Sequence, residues 1–251
     1  MITITVSEKN LTEQAKKIAQ QWGFVFSPSS HDQFFLQLTP QHLQLIQSDK
    51  HSPGPIYIDF TSGQAAHRRL FGGGKGQTLA KAVGLNKTPS PIILDATAGM
   101  GKDAFVFASL GAKVILMERS PISAALLTDA LQRASLDEEI SEIINRMSFV
   151  YGDARLLASD RGSELNEKPD IIYLDPMFPH RKKSALVKKE MLAFQSLIGD
   201  DNDSDELLNV CRQLAKKRVV VKRPIKAPYL DNQKPSLSMN MKKHRFDIYF
   251  V

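Results

Sequence analysis

Cysteine occurs once, as Cys211, so the chain cannot close an internal disulfide. Its setting, LLNVCRQLAKK, spaces apolar residues as a buried helical face does, which predicts an inert core thiol. Long apolar runs are also missing. PIILDATAG and RVVVK are among the longest and fall far short of the roughly 20 residues that cross a bilayer. The amino terminus, MITITVSEKN, has neither the basic start nor the apolar stretch of an export signal. These absences predict a soluble, unexported protein with no membrane partner. There is no internal repeat and no long low-complexity segment, and a composition of 42% hydrophobic and 24% charged residues excludes wholesale disorder.

Charge is present in modest excess, with a formal net charge of +6, and it is segregated. Acidic residues gather in LDEEISE (136–142) and GDDNDSDE (199–206). Basic ones gather in HRRLFGGGKG, HRKKSALVKK, KKRVVVKRPIK and KKHR. Such separation fits either a basic face for a polyanion or ordinary solvated helix faces.

The chain divides at about residue 75. Residues 1–75 read as a small α/β unit with a Gly- and Arg-rich connection: strand ITITV, helix LTEQAKKIAQQW closed by Gly23, strand QFFLQL, a helix opening at Pro40, then strand IYIDF. Residues 76–251 alternate short apolar strands with helices: PIILDA, helix 102–110, AKVILME, helix 121–134, MSFVYGD, DIIYLDP, helices near 185–197 and 204–216, KRVVVKR and RFDIYFV. This rhythm predicts an α/β fold, a Rossmann-like and mostly parallel sheet covered on both faces. The final run has no helix before it, which predicts an antiparallel hairpin at the sheet edge.

In open α/β sheets ligands bind where strand carboxyl ends converge. The first large-domain strand ends in DATAGMGKD, with Asp95 at the strand end and Gly99 and Gly101 in the turn. The second ends at Glu118, nineteen positions after Gly99, where a carboxylate can accept both hydroxyl hydrogens of a ribose. The third ends at Asp153, placed to accept a bond from an adenine amino group, with Ala154 leaving room for the ring. These strand ends describe a pocket for an adenosine-bearing cofactor. The third glycine of the dinucleotide fingerprint is absent, and GGGKGQT lacks the ending of a phosphate-binding P-loop. The pattern instead resembles the Asp-x-x-x-Gly-x-Gly loop of class I S-adenosylmethionine-dependent methyltransferases.

The fourth strand ends in DPMFPH, which resembles the Asp/Asn-Pro-Pro-Phe/Tyr motif of methyltransferases that modify exocyclic amino groups of bases. An aryl amine is a poor nucleophile because its lone pair is delocalised. Asp175 and a carbonyl fixed by Pro176 can accept its hydrogens, while Phe178 can stack on the base. Met177 replaces the second proline of that motif. A plain reading of LDPMFP as a strand-terminating turn also stands. Arg181, Lys182 and Lys183 follow directly, placed for nucleic-acid phosphates. Arg68, Arg69 and Lys75 offer a second phosphate contact, unless HRRLFGGGKG is simply a flexible linker.

Across the whole chain, AHRRLFGGGKG, DATAGMGKDAFVFASLGAKV, ERSP, YLDPMFPHRKKSALVKKEM, FQSL, KRVVVKRP and HRFDIY together resemble the bacterial RsmJ family. That resemblance implies a metal-free cytoplasmic enzyme using S-adenosyl-L-methionine to methylate guanine N2 in small-subunit ribosomal RNA, free or in an assembly particle. It also implies that Lys102, Asp103 and Arg119 join Glu118, Asp153, Ala154 and Asp175 around the cofactor. The competing expectations are an adenine-N6 methyltransferase, which would use the same loop, and an inactive nucleic-acid-binding protein built on the same fold.

Overall fold

The computed structural model describes residues 1–49, 54–158, 165, 167–177, 197 and 204–251. Strand β1 (Thr3–Val6) lies between β2 (Val25–Phe26) and β3 (Phe34–Leu38), parallel to both, and β3 turns back antiparallel onto β4 (Leu43–Gln47). Helix α1 (Thr12–Trp22) buries Ala15 and Ala19 and stops at Gly23, whose φ of 71° is left-handed. The helix expected at Pro40 does not form. Thr39 and His42 close a tight turn instead, Thr39 N–H donating to the His42 carbonyl at 3.0 Å, and buried Leu43 and Leu45 follow as a strand. IYIDF is extended but touches a sheet through one bridge, Leu45 with Ile56; Ile56, Ile58 and Phe60 point inward at every second residue. The Gly- and Arg-rich connection is largely helical: α2 (Gly63–Phe71), a turn at Gly74–Gly76, then α3 (Thr78–Ala82).

The larger sheet contains β5 (Ile92–Asp95), β6 (Lys113–Glu118), β7 (Met147–Tyr151), β8 (Ile171–Leu174), β9 (Arg218–Pro224), β10 (Leu237–Asn240) and β11 (His244–Phe250), in the spatial order β10-β11-β9-β8-β5-β6-β7. All its pairs are parallel except those of β11, which runs antiparallel to both β9 and β10 and makes the expected edge hairpin. Helices α4 (Lys102–Ser109), α5 (Pro121–Ser135), α6 (Ser141–Ile144) and α7 (Asp205–Leu214) connect the strands. Central strands are apolar throughout because both faces are covered: one buried cluster contains Ile93, Phe105, Leu126 and Val220, the other Leu94, Ile172, Leu208 and Val221. Ile4, Leu36 and Leu45 of the small sheet belong to the first cluster, where α1 and β4 pack on α5.

The chain winds outward from β5 through β6 to β7, then returns to lay β8 on the other side of β5. The connections before and after that return leave the sheet on opposite sides, opening a crevice at the carboxyl ends of β5 and β8. Among the described residues no helix is long and apolar enough to cross a membrane. Cys211 is fully buried in α7, where burial pushes its thiol up to about 12, so it is not nucleophilic at neutral pH. The helix expected near 185–197, save Leu197, lies outside the described residues.

Candidate active site

Backbone bonds fix the loop after β5. Ala96 N–H donates to the Tyr173 carbonyl at 3.0 Å, Ala98 N–H to the Met117 carbonyl at 3.0 Å, and Asp175 N–H to Thr97 Oγ1 at 2.7 Å. The loop is thus tied to both neighbouring strands. Gly99 takes a φ of 52°, and its N–H donates to Glu118 Oε2 at 2.8 Å. The other carboxylate oxygen, Oε1, accepts Ser120 N–H at 2.7 Å, and Ser120 caps α5 ahead of Pro121. One carboxylate therefore sets the relative positions of the glycine loop, the end of β6 and the start of α5.

These elements enclose a cavity of about 280 Å³ at the crevice. Of the residues expected at the cofactor, Asp95, Gly99, Lys102, Asp103, Glu118, Arg119, Asp153, Ala154 and Asp175 line it. Gly101 does not. It starts α4 with a φ of 68°, and a Cβ there would come within 2.9 Å of Leu127 and 3.2 Å of Phe60, so this glycine seats the helix on the sheet. Asp153 is engaged by its neighbours: Arg155 Nε donates to both of its oxygens at 3.0 Å, and Arg119 lies 3.6 Å away. Burial works against ionisation, but the Arg155 bonds outweigh it and lower the Asp153 pKa. Pro176 is buried and off the cavity wall, while Met177 is on it.

At the floor lies an ion network that the sequence reading missed. Lys222, inside β9, donates to Asp175 Oδ2 at 2.7 Å and to Asp103 Oδ2 at 3.1 Å. Asp103 also accepts from Tyr173 Oη at 2.7 Å and from Arg68 at 2.7 Å. Burial raises the Asp103 pKa, but the Lys222 and Arg68 cations overcome it and hold the carboxyl far below the usual range. For Asp175 burial wins over Lys222, so its pKa is raised. Lys222 itself is held protonated by the two carboxylates despite burial. A lysine within VVVK demands a buried partner, and that was the signal available in the sequence; the partners lie 119 and 47 positions away.

Arg68, expected at an RNA phosphate, lines the cavity and bonds Asp103. Arg69 pairs with the exposed Glu139 at 3.0 Å, with its own side chain 19% exposed. Lys75 is exposed in the turn after α2. Phe178, Arg181, Lys182 and Lys183 lie outside the described residues.

The cavity's chemistry fits a cationic adenosine cofactor. Asp95 is 2% exposed and, among the described residues, has no cation within ion-pair distance; burial and the nearby Asp103 charge raise its pKa well above the ordinary value. A positively charged ligand relieves that field. Ala96, Ala98, Ala154 and Met117 supply small or apolar walls, and Glu118, Lys102 and Arg119 add charged groups to the lining.

Residues 17–251 match a family model described as putative SAM-dependent methyltransferase. A ribosomal RNA small subunit methyltransferase J from Colwellia psychrerythraea is 51% identical over 95% of this chain and 88% of its own length. Its counterpart from Aliivibrio fischeri is 50% identical over 99% of this chain and 97% of its own. A crystal structure of a SAM-dependent methyltransferase from Neisseria gonorrhoeae superposes with a TM-score of 0.78 at 35% identity, covering 99% of this chain and 95% of that one. Fold, strand-end geometry and near-full-length identity agree: the chain belongs to the S-adenosylmethionine-dependent methyltransferases, within the ribosomal RNA small subunit methyltransferase J family.

Proposed function

We propose that the protein methylates the exocyclic N2 amino group of a guanine in small-subunit (16S) ribosomal RNA, acting on the RNA or its assembly particle in the cytoplasm. The observation that carries this reading is Asp175 on the cavity wall just after β8, beside the glycine loop to which its N–H is bonded. Bound in the cavity, S-adenosylmethionine supplies an electrophilic methyl group on a sulfonium.

The chain's residues act on the amine. Lys222 occupies Asp175 Oδ2, and among the described residues no donor is bonded to Oδ1. That oxygen accepts an N–H of the guanine amine, which draws the nitrogen lone pair out of the ring and orients it. It then holds the proton that the methylated nitrogen releases. A raised pKa makes Asp175 a better acceptor than an ordinary carboxylate, while Lys222 keeps its charge and direction fixed. Glu118 and Asp153 orient the adenosine end, and Phe178 stacks on the flipped base.

The test is transfer of labelled methyl from S-adenosylmethionine to small-subunit particles from cells lacking the gene. Transfer by the wild type and its loss in Asp175→Ala support the reading; label that enters protein only would overturn it.

A further inference from the structure

The ends of β9 and β11 present a basic surface that the site described above does not use. β11 pairs antiparallel with β9, His244 opposite Pro224, so the β10–β11 turn (Met241, Lys242, Lys243) lies beside the segment leaving β9, Ile225 and Lys226. Ile225 N–H donates to the Lys243 carbonyl at 3.4 Å, and Met241 N–H to the His244 carbonyl at 2.8 Å. Lys226, Lys242 and Lys243 are all exposed, and none has an ion pair among the described residues. Ile225 and Met241, 41% and 39% exposed, sit among them.

This surface is built from beneath. Arg245, 7% exposed, donates to the Pro224 and Ile225 carbonyls at 3.1 and 2.8 Å, with its charge balanced by fully buried Asp247 at 2.9 Å. Arg223, 4% exposed, donates to the Pro228 carbonyl at 3.2 Å. Two buried arginines thus brace the carbonyls of residues 224–228. The lysines stand in the turn and the strand exit rather than along the free edge of β10, so protection of a sheet edge does not account for them. They are also close to the chemistry. Lys226 follows Lys222 by four residues, at most about 14 Å of extended chain. The acidic residues Asp137, Glu138, Glu139 and Glu142 precede β7 at the opposite edge of the sheet, whereas Asp205 and Asp231, joined by the Asp231 N–H at 2.8 Å, lie on the Arg223 side of β9.

We infer that Lys226, Lys242 and Lys243 form a docking surface for the phosphodiester backbone of the substrate RNA next to the target base, with Ile225 and Met241 against its sugars. The inference rests on the RNA-methyltransferase reading and adds to it the path that the strand takes over the enzyme.

The experiment uses the full chain and small-subunit ribosomal RNA over a salt series. It compares the wild type with Lys226→Gln/Lys242→Gln/Lys243→Gln and with a control of equal charge change at the strands' amino ends, Lys87→Gln/Lys113→Gln/Lys216→Gln. Lost phosphate contacts flatten the logarithmic salt dependence by about 0.7 to 0.9 unit each, so the test variant should lose about two to three units and the control almost none. S-adenosylmethionine affinity, measured by calorimetry, stays at the wild-type value in both and shows that the variants are folded. A wild-type slope in the test variant, or equal losses in test and control, overturns the docking surface while leaving the methyltransferase reading intact. Unchanged binding to naked RNA with loss confined to the assembled particle also overturns it, in favour of an acidic protein contact. A wild type that shows no salt-dependent RNA binding overturns the docking surface and leaves the methyltransferase reading to the particle assay.

Discussion

At the scale of single residues, the site is governed by two carboxylates that share one lysine. Asp175→Ala should lower turnover by at least about a hundredfold, the scale of a lost transition-state acceptor, as read in single-turnover methyl transfer. The wild-type rate should fall on acidification through a pKa above the ordinary carboxylate value, because protonated Asp175 cannot accept the amine hydrogen. Lys222→Met removes the cation that opposes burial at Asp175 and Asp103. Both pKa values then rise, so the acid limb of the rate profile should move to higher pH while Lys222→Arg largely restores it. A Lys222→Met profile superposable on the wild type would remove Lys222 as a positioning residue. The stability linkage runs the same way at Asp103: its folded pKa is depressed, so its contribution is present above the unfolded value and is lost as pH falls.

At the scale of elements, the two glycines of the loop separate by role. Gly101→Ala puts a methyl 2.9 Å from Leu127 in a left-handed backbone position, which should destabilise the fold by about 1–3 kcal/mol as overpacking does. Its readout is denaturant unfolding. Gly99→Ala has only the Thr97 carbonyl within reach, at 3.9 Å, so it escapes overpacking and should cost only the left-handed backbone strain of about 1–2 kcal/mol, while its methyl on the cavity wall weakens cofactor binding. Glu118→Ala should weaken S-adenosylmethionine binding by about 1.5–3 kcal/mol in calorimetry, since it unties the Gly99 turn and, on the proposed reading, removes a ribose acceptor. Legibility also differed by element. The buried parallel strands were readable because Ile92–Asp95 closes on an acid and Ile171–Leu174 is followed by one, Asp175, each at a turn. The β4 strand was misread because Pro40 looked like a helix start, although Leu43 and Leu45 carry the period of a strand. Helix α2 was hidden by its glycines, and with it the inward aim of Arg68.

At the scale of the molecule, the small sheet packs on α5 through a shared core, and the large sheet presents its cavity, its ion network and its basic edge at one end. Strand ends were visible in the sequence because each carboxylate follows an apolar run. The network was not, because Lys222 meets Asp103 and Asp175 only once β9, β8 and α4 are assembled. The central claim is methyl transfer to guanine N2 of small-subunit RNA, and nucleoside mass spectrometry tests it most directly. Small-subunit particles from cells lacking the gene are incubated with the purified protein and S-adenosylmethionine, digested and analysed. One N2-methylguanosine gained per 16S chain is the predicted result; methyladenosine in its place, or no gain in any nucleoside, would contradict the account.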